Sequence, residues 1–97
     1  MDKQDRRFNI ALLQALNSTY YRRAETLARE MQKELAEPVD VEAIHAQVTI
    51  WLRVGFAQLH AARPKGNQEF RITPDGYIYL DQLLATDARP AHAATPE

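Results

Sequence analysis

The side chains best able to do chemistry in this sequence are basic ones, because guanidinium and ammonium groups bind phosphate oxygens. Seven of the twelve Lys and Arg residues fall within residues 1–33, and Arg22 and Arg23 stand side by side there. Residues 34–62 contain only Arg53, and a second group follows at Arg63, Lys65 and Arg71. These basic groups could contact phosphates, or they could be ordinary solvated surface charges.

Other kinds of chemistry find little support in the sequence. There is no Cys, and the three His residues are too far apart for two of them to share one helical turn, so we expect no metal site. No paired acid and base stand out for catalysis. Each of the three Gly residues is expected in a turn, so the sequence contains no phosphate-binding glycine loop. We therefore expect a protein that is not an enzyme and needs no cofactor. The formal net charge of −1 is low for a nucleic-acid binder.

Three helices are predicted in the first half of the chain. Apolar residues at helical spacing indicate a first helix over about residues 4–17 and a second over about residues 20–35, which Arg22 and Arg23 would begin. Pro38 ends the second helix, and Asp40 is a suitable N-cap for a third over 41–53.

The third helix has two distinct faces. Its inward face contains Trp51, which we expect to be buried in the core with Ile44 and Val48. Turning the helical wheel gives an outward set: Glu42, Ala46, Thr49, Ile50 and Arg53.

A strand, a turn and a returning strand follow the third helix. Gly55 ends the helix, residues 56–60 alternate as a strand does, and Pro64, Gly66 and Asn67 form a turn. The segment 69–73 is the returning strand. Thr73 then caps a last helix in which Pro74 takes the first position.

Length and composition predict one domain over residues 1–86 and a disordered Ala- and Pro-rich tail over 87–97. The charged N-terminus contains no signal sequence, and no apolar run is long enough to cross a membrane. We therefore expect a cytoplasmic protein.

The sequence "WLRVGFAQL…FRITPDGYIYLDQL" resembles the closing half of winged helix-turn-helix regulators of the MarR, PadR and ArsR kind. The matching positions are Leu52, Gly55-Phe56, the segment 72–76 and Tyr79-Leu80. The resemblance covers about residues 8–84. It implies an α+β, mostly helical fold with a three-helix core, a two-stranded β wing and a C-terminal helix.

The resemblance also implies a function, transcriptional control through double-stranded DNA, commonly as a homodimer joined by terminal helices. Helix 41–53 would enter the major groove, and the wing at 63–68 would lie along the backbone. The residues that this assigns to nucleic-acid binding are Arg22, Arg23, His45, Gln47, Thr49, Arg53, Arg63, Lys65, Gln68 and Arg71.

A second function stays open, because the outward face of the third helix departs from the family pattern. Bases are read by polar side chains, yet Ala46 and Ile50 are apolar, and Glu42 would repel phosphates. Ala46 and Ile50 could instead contact a protein, which would make the domain an adaptor or a phage-type inhibitor.

Overall fold

The computed structural model describes residues 2–60 and 68–88, and within them the chain is mostly helical with one small sheet. Three antiparallel strands form the sheet, in the order β1-β3-β2. The α+β class expected from the sequence is therefore confirmed. The elements in chain order are α1 (Lys3–Leu16), β1 (Arg22–Arg23), α2 (Ala24–Leu35), α3 (Val41–Val54), β2 (Ala57–Leu59), β3 (Glu69–Ile72) and α4 (Pro74–Ala88).

Helices α1 and α3 begin and end close to the predicted residues because their ends are fixed locally. The carboxylates of Asp2 and Asp40 accept hydrogen bonds from the second backbone N–H of each helix, at 3.1 and 3.0 Å. Gly55 ends α3 with φ +93°, a left-handed conformation that glycine adopts without strain. Helix α2 ends in the same way at Ala36, two residues before Pro38.

The start of α2 differs from the prediction. Arg22 and Arg23 are extended and form β1, and the helix begins only at Ala24. Their partners in β3 are Phe70 and Glu69. This pairing is favoured because it satisfies backbone groups along the edge of β3 that β2 leaves open. The prediction that the two arginines start a helix is therefore wrong.

The segment from Thr73 to Gly76 joins β3 to α4 through several specific contacts. The Thr73 hydroxyl accepts a hydrogen bond from the Gly76 N–H at 3.0 Å and donates one to the carbonyl of Gly55. The Thr73 N–H donates to the carbonyl of Phe56 at 3.1 Å. A Cβ atom at Gly76 would lie 2.0 Å from that same carbonyl oxygen. Thr73 therefore caps α4 as expected, and it also ties the helix to the end of α3.

The core lies where α1, α2 and α3 meet the inner face of the sheet. Trp51 is 3% exposed, which confirms its predicted place in the core. Its ring meets the ring of Tyr79 edge-on at 6.4 Å, and Tyr79 stacks on Phe56 at 4.6 Å. The largest fully buried side chains are Leu12, Leu13, Leu16, Leu27, Met31, Ile44, Val48 and Phe70.

Helix α4 continues to Ala88 and so extends two residues into the segment that was predicted to be a tail. The remainder of that segment, 89–97, lies outside the described residues. In the part of the chain that the structure describes, no helix combines the length and apolar character needed to cross a membrane.

Candidate functional site

Helix α3 has one face in the core and one face open to solvent. All five residues predicted to face outward, including Thr49 and Arg53, are exposed, while His45 and Gln47 at the flanks are half-buried. The opposite stripe, with Ile44, is buried. The helix therefore has one buried and one exposed face, as the sequence predicts.

The polar groups on this surface are not equally available. The Thr49 hydroxyl donates to the carbonyl of His45 at 2.7 Å, so it offers a ligand only its acceptor capacity. The His45 ring packs edge-on against Phe70, with the ring centroids 6.2 Å apart. Arg53, in the last turn, is exposed. Of these side chains, Arg53 is the one best placed to contact a base or a phosphate.

An apolar stripe runs along the same exposed face and includes the predicted protein-contact residues Ala46 and Ile50. Ala43, Ala46, Ile50 and Val54 follow one another at steps of three, four and four, and we call them the α3 stripe. Ile50 is 51% exposed and Val54 55% exposed. Val54 was not predicted to belong to this face, although its position four residues after Ile50 places it there.

Three residues of the α3 stripe, Ala43, Ala46 and Ile50, form one wall of a groove of about 550 Å³ between α3 and the start of α1. Phe8 and Leu35 contribute apolar surface, and Asp5, Arg7 and Glu37 contribute charged groups. This volume falls in the range of ligand-binding clefts. Because Ala46, Gln47 and Ile50 line the groove, its contents would cover the middle of the outward face of α3.

A second surface is formed by the side of the sheet that faces away from the helices. Phe70 and Ile72 of β3 are buried, so Glu69 and Arg71, which alternate with them, lie on the other side. Gln58 is opposite Arg71, and Arg23 is opposite Glu69. We call this surface the outer sheet face and assign to it Tyr21, Arg23, Gln58, His60, Glu69 and Arg71.

Two rings meet across β3 on the outer sheet face. Tyr21 and His60 lie at opposite edges of the sheet, and their ring centroids are 5.0 Å apart at 88°. The Arg71 guanidinium lies over the Tyr21 ring, 5.6 Å from its centroid. Arg71 is half-buried, and its Nε atom is buried with no hydrogen-bond partner. Tyr21 and His60 were not predicted to form a site, because their contact depends on the register of β1.

The two adjacent arginines of β1 point in opposite directions. Arg22 is paired with Phe70 on the inner side of the sheet, and it lines a depression that also contains Glu30 and Glu34 of α2. Arg23 is exposed on the outer sheet face. They therefore do not act as one basic pair, and Arg23 is the more available to a phosphate.

The remaining predicted residues lie between β2 and β3 in the sequence. Gln68 is half-buried and lies directly before β3. Arg63 and Lys65 lie outside the described residues. Within 2–60 and 68–88, no three His, Asp or Glu side chains are grouped so that they could hold a metal ion.

No protein family, curated protein or solved structure matches this chain. The function must therefore be inferred from the residues and their arrangement.

Proposed function

We propose that this chain is a winged helix-turn-helix protein that binds double-stranded DNA as a transcriptional regulator. The order of elements supports the fold: a short strand lies between the first two helices, and a hairpin follows the third. The sheet order β1-β3-β2 supports it too, because the short strand joins the hairpin on its second edge. The short strand β1 therefore extends the resemblance to winged helix-turn-helix proteins to the segment between α1 and α2.

The observation that carries the DNA proposal is the free outward face of α3, which the hairpin strands follow directly. Fourteen residues form α3, which corresponds to about 21 Å of helix. A major groove about 12 Å wide admits a helix that is open on one side. Gln47, Thr49 and Arg53 would meet base edges or phosphates, and Arg63 and Lys65 would follow the backbone.

A homodimer joined by terminal helices is part of this proposal. Helix α4 supports it, because Tyr77, Ile78 and Leu84 are 54%, 55% and 37% exposed in the single chain. A second copy would remove this apolar surface from water. We propose a binding protein without catalytic activity.

The test is a titration of a labelled random-sequence duplex at low salt, followed by selection of preferred sequences. We expect Arg53→Ala to change the selected sequence or to weaken binding to it, because a bidentate contact to a base gives about 1–3 kcal/mol of discrimination. Arg29→Ala, on an exposed position of α2, is the control and should leave selection unchanged. Duplex binding no stronger than that of a neutral protein of similar size would refute the DNA proposal.

A second function is favoured by the α3 stripe, namely that the domain binds another protein through this face. Exposed apolar surface beside a groove is typical of protein contacts, and acidic residues at the start of α3 oppose phosphate. Ile50 is half exposed, as this function requires.

Photo-crosslinking in cells would separate the two functions. A crosslinking residue at position 50 should capture one discrete protein if the α3 stripe binds a partner. The matched control places the same crosslinking residue at position 20 instead. Tyr20 is 76% exposed and lies outside α3. Crosslinks to DNA alone from position 50 would contradict the protein-binding function.

A further inference from the structure

We propose that the outer sheet face contains a phosphate-binding site in which Arg71 is the main cation and Arg23 the second. The site is separate from the outward face of α3. It deepens the proposed DNA contact, because it names the phosphate as the bound group and Tyr21 and His60 as the side chains that hold the Arg71 guanidinium in place. Only the source of the phosphate rests on the proposed function.

Arg71 is held in one position before any ligand arrives. Its guanidinium packs on Tyr21, and Tyr21 is in turn held edge-on by His60. Ordering a free, flexible side chain on binding carries an entropic cost. The two rings remove much of that cost for Arg71. A fixed planar guanidinium suits two oxygens of one phosphate, which a lysine cannot match.

The Nε atom of Arg71 is buried and has no hydrogen-bond partner within the described structure. Because a buried atom is closed to solvent, a phosphate would be bound by the terminal amino groups of the guanidinium and not by Nε. Burial of Nε therefore supports the fixed position of the side chain.

Arg23 lies close enough to share the phosphate. Because Arg23 pairs with Glu69, it is a diagonal neighbour of Arg71, and such neighbours are about 7–8 Å apart. Arg71 leans toward this side of β3, since its guanidinium lies over Tyr21. Glu69, directly opposite Arg23, adds a negative charge to the same row. We therefore expect one phosphate, bound at Arg71, rather than a row of several.

Nuclear magnetic resonance can observe this site directly. A buried Arg Nε–H exchanges slowly with water, so its ¹H–¹⁵N signal should be visible near neutral pH. We expect inorganic phosphate to shift the Arg71 signal in a saturable way, while sodium chloride at equal ionic strength does not. Tyr21→Leu should leave the fold intact but reduce this shift several-fold, because the guanidinium loses its support. If phosphate leaves the Arg71 signal unchanged in the wild type, the site does not exist.

Duplex binding then identifies the source of the phosphate. Arg71→Lys keeps the charge but loses the planar fork, so we expect about tenfold weaker duplex binding, equivalent to about 1.4 kcal/mol. Arg29→Lys on α2 is the control and should have no effect. If inorganic phosphate binds but Arg71→Lys leaves duplex affinity unchanged, the site takes a free phosphate and its link to DNA is overturned. Failure of the wild type to bind duplex would refute the proposed function without affecting the phosphate result.

Discussion

At the scale of single residues, the junction between β3 and α4 depends on Gly76. A methyl group at this position would overlap the carbonyl of Phe56, a backbone group that cannot move aside easily. We expect Gly76→Ala to lower the free energy of unfolding by about 1–3 kcal/mol, as overpacked sites do. Urea denaturation followed by circular dichroism measures this change.

Gly55 is the matched control for Gly76, because glycine is required there by the backbone conformation and not by lack of space. Nothing lies within 4 Å of a Cβ atom at Gly55, but its φ is +93°. Gly55→Ala should therefore cost about 1–2 kcal/mol through backbone strain alone. Gly55→Asn should recover part of this loss, since Asn tolerates the left-handed region, whereas Gly76→Asn should be at least as harmful as Gly76→Ala. Equal behaviour of the two positions toward Asn would contradict the clash at Gly76.

Thr73 links two elements through one hydroxyl, which accepts from Gly76 and donates to Gly55. Thr73→Val keeps the shape of the side chain but leaves both partners without a hydrogen bond. We expect it to cost about 1–3 kcal/mol of unfolding free energy. Thr73→Ser retains the hydroxyl and should lose much less. Thermal denaturation measures the stability of both variants. If the Val variant is as stable as the Ser variant, the hydroxyl does not stabilise the junction.

At the scale of elements, the two faces of α3 should respond differently to the same kind of change. Ile44 is fully buried, so Ile44→Ala should cost about 2–5 kcal/mol. Ile50 and Val54 are about half exposed, and we expect Ile50→Ser with Val54→Ser to change stability only slightly. Denaturant titrations test both variants. A large loss in the double variant would mean that the α3 stripe supports the fold instead of remaining available to a partner.

Most of the elements could be predicted from the sequence because their signals are local. Asp40 and Gly55 mark the ends of α3 through contacts within a few residues, and Thr73 with Pro74 marks the start of α4. The alternation in 69–72 likewise indicates β3 without knowledge of its partner. Each of these signals lies within a few neighbouring residues, which explains why it can be recognised in the sequence.

The strand β1 could not be predicted, because what makes it a strand lies elsewhere in the chain. Arg22 and Arg23 show no apolar alternation, and their pairing partners are Phe70 and Glu69, 46 or more residues away. The candidate site has the same limitation. Arg71 was recognised as a cation, but its contact with Tyr21 depends on the register that β1 creates. The outward face of α3, by contrast, follows from the helical period alone.

At the scale of the whole molecule, the distribution of charge matters more than its sum. The formal net charge is −1, and Glu37, Asp40 and Glu42 stand near the start of α3. If α3 enters a groove, Glu42 lies close to phosphates, and Glu42→Gln should tighten duplex binding about two- to fivefold, which is about 0.4–1 kcal/mol. Glu25→Gln, on α2, is the control with the same charge change. Fluorescence anisotropy measures both, and an equal effect of the two would show that only net charge matters.

The salt dependence of duplex binding should report how many cations act together. Five basic residues are proposed to meet phosphates, namely Arg23, Arg53, Arg63, Lys65 and Arg71. Because Arg23 and Arg71 share one phosphate, four phosphates release counterions, and the logarithm of affinity should fall against the logarithm of salt with a slope of about −3.6. Replacing Arg63 and Lys65 together with Gln should make the slope shallower by about 1.8 units, since two contacts are lost. The same double replacement at Arg29 and Lys33, on α2, should leave the slope unchanged. If both double variants alter the slope equally, the hairpin has no specific contact with the backbone, and the cations act only through the net charge of the protein.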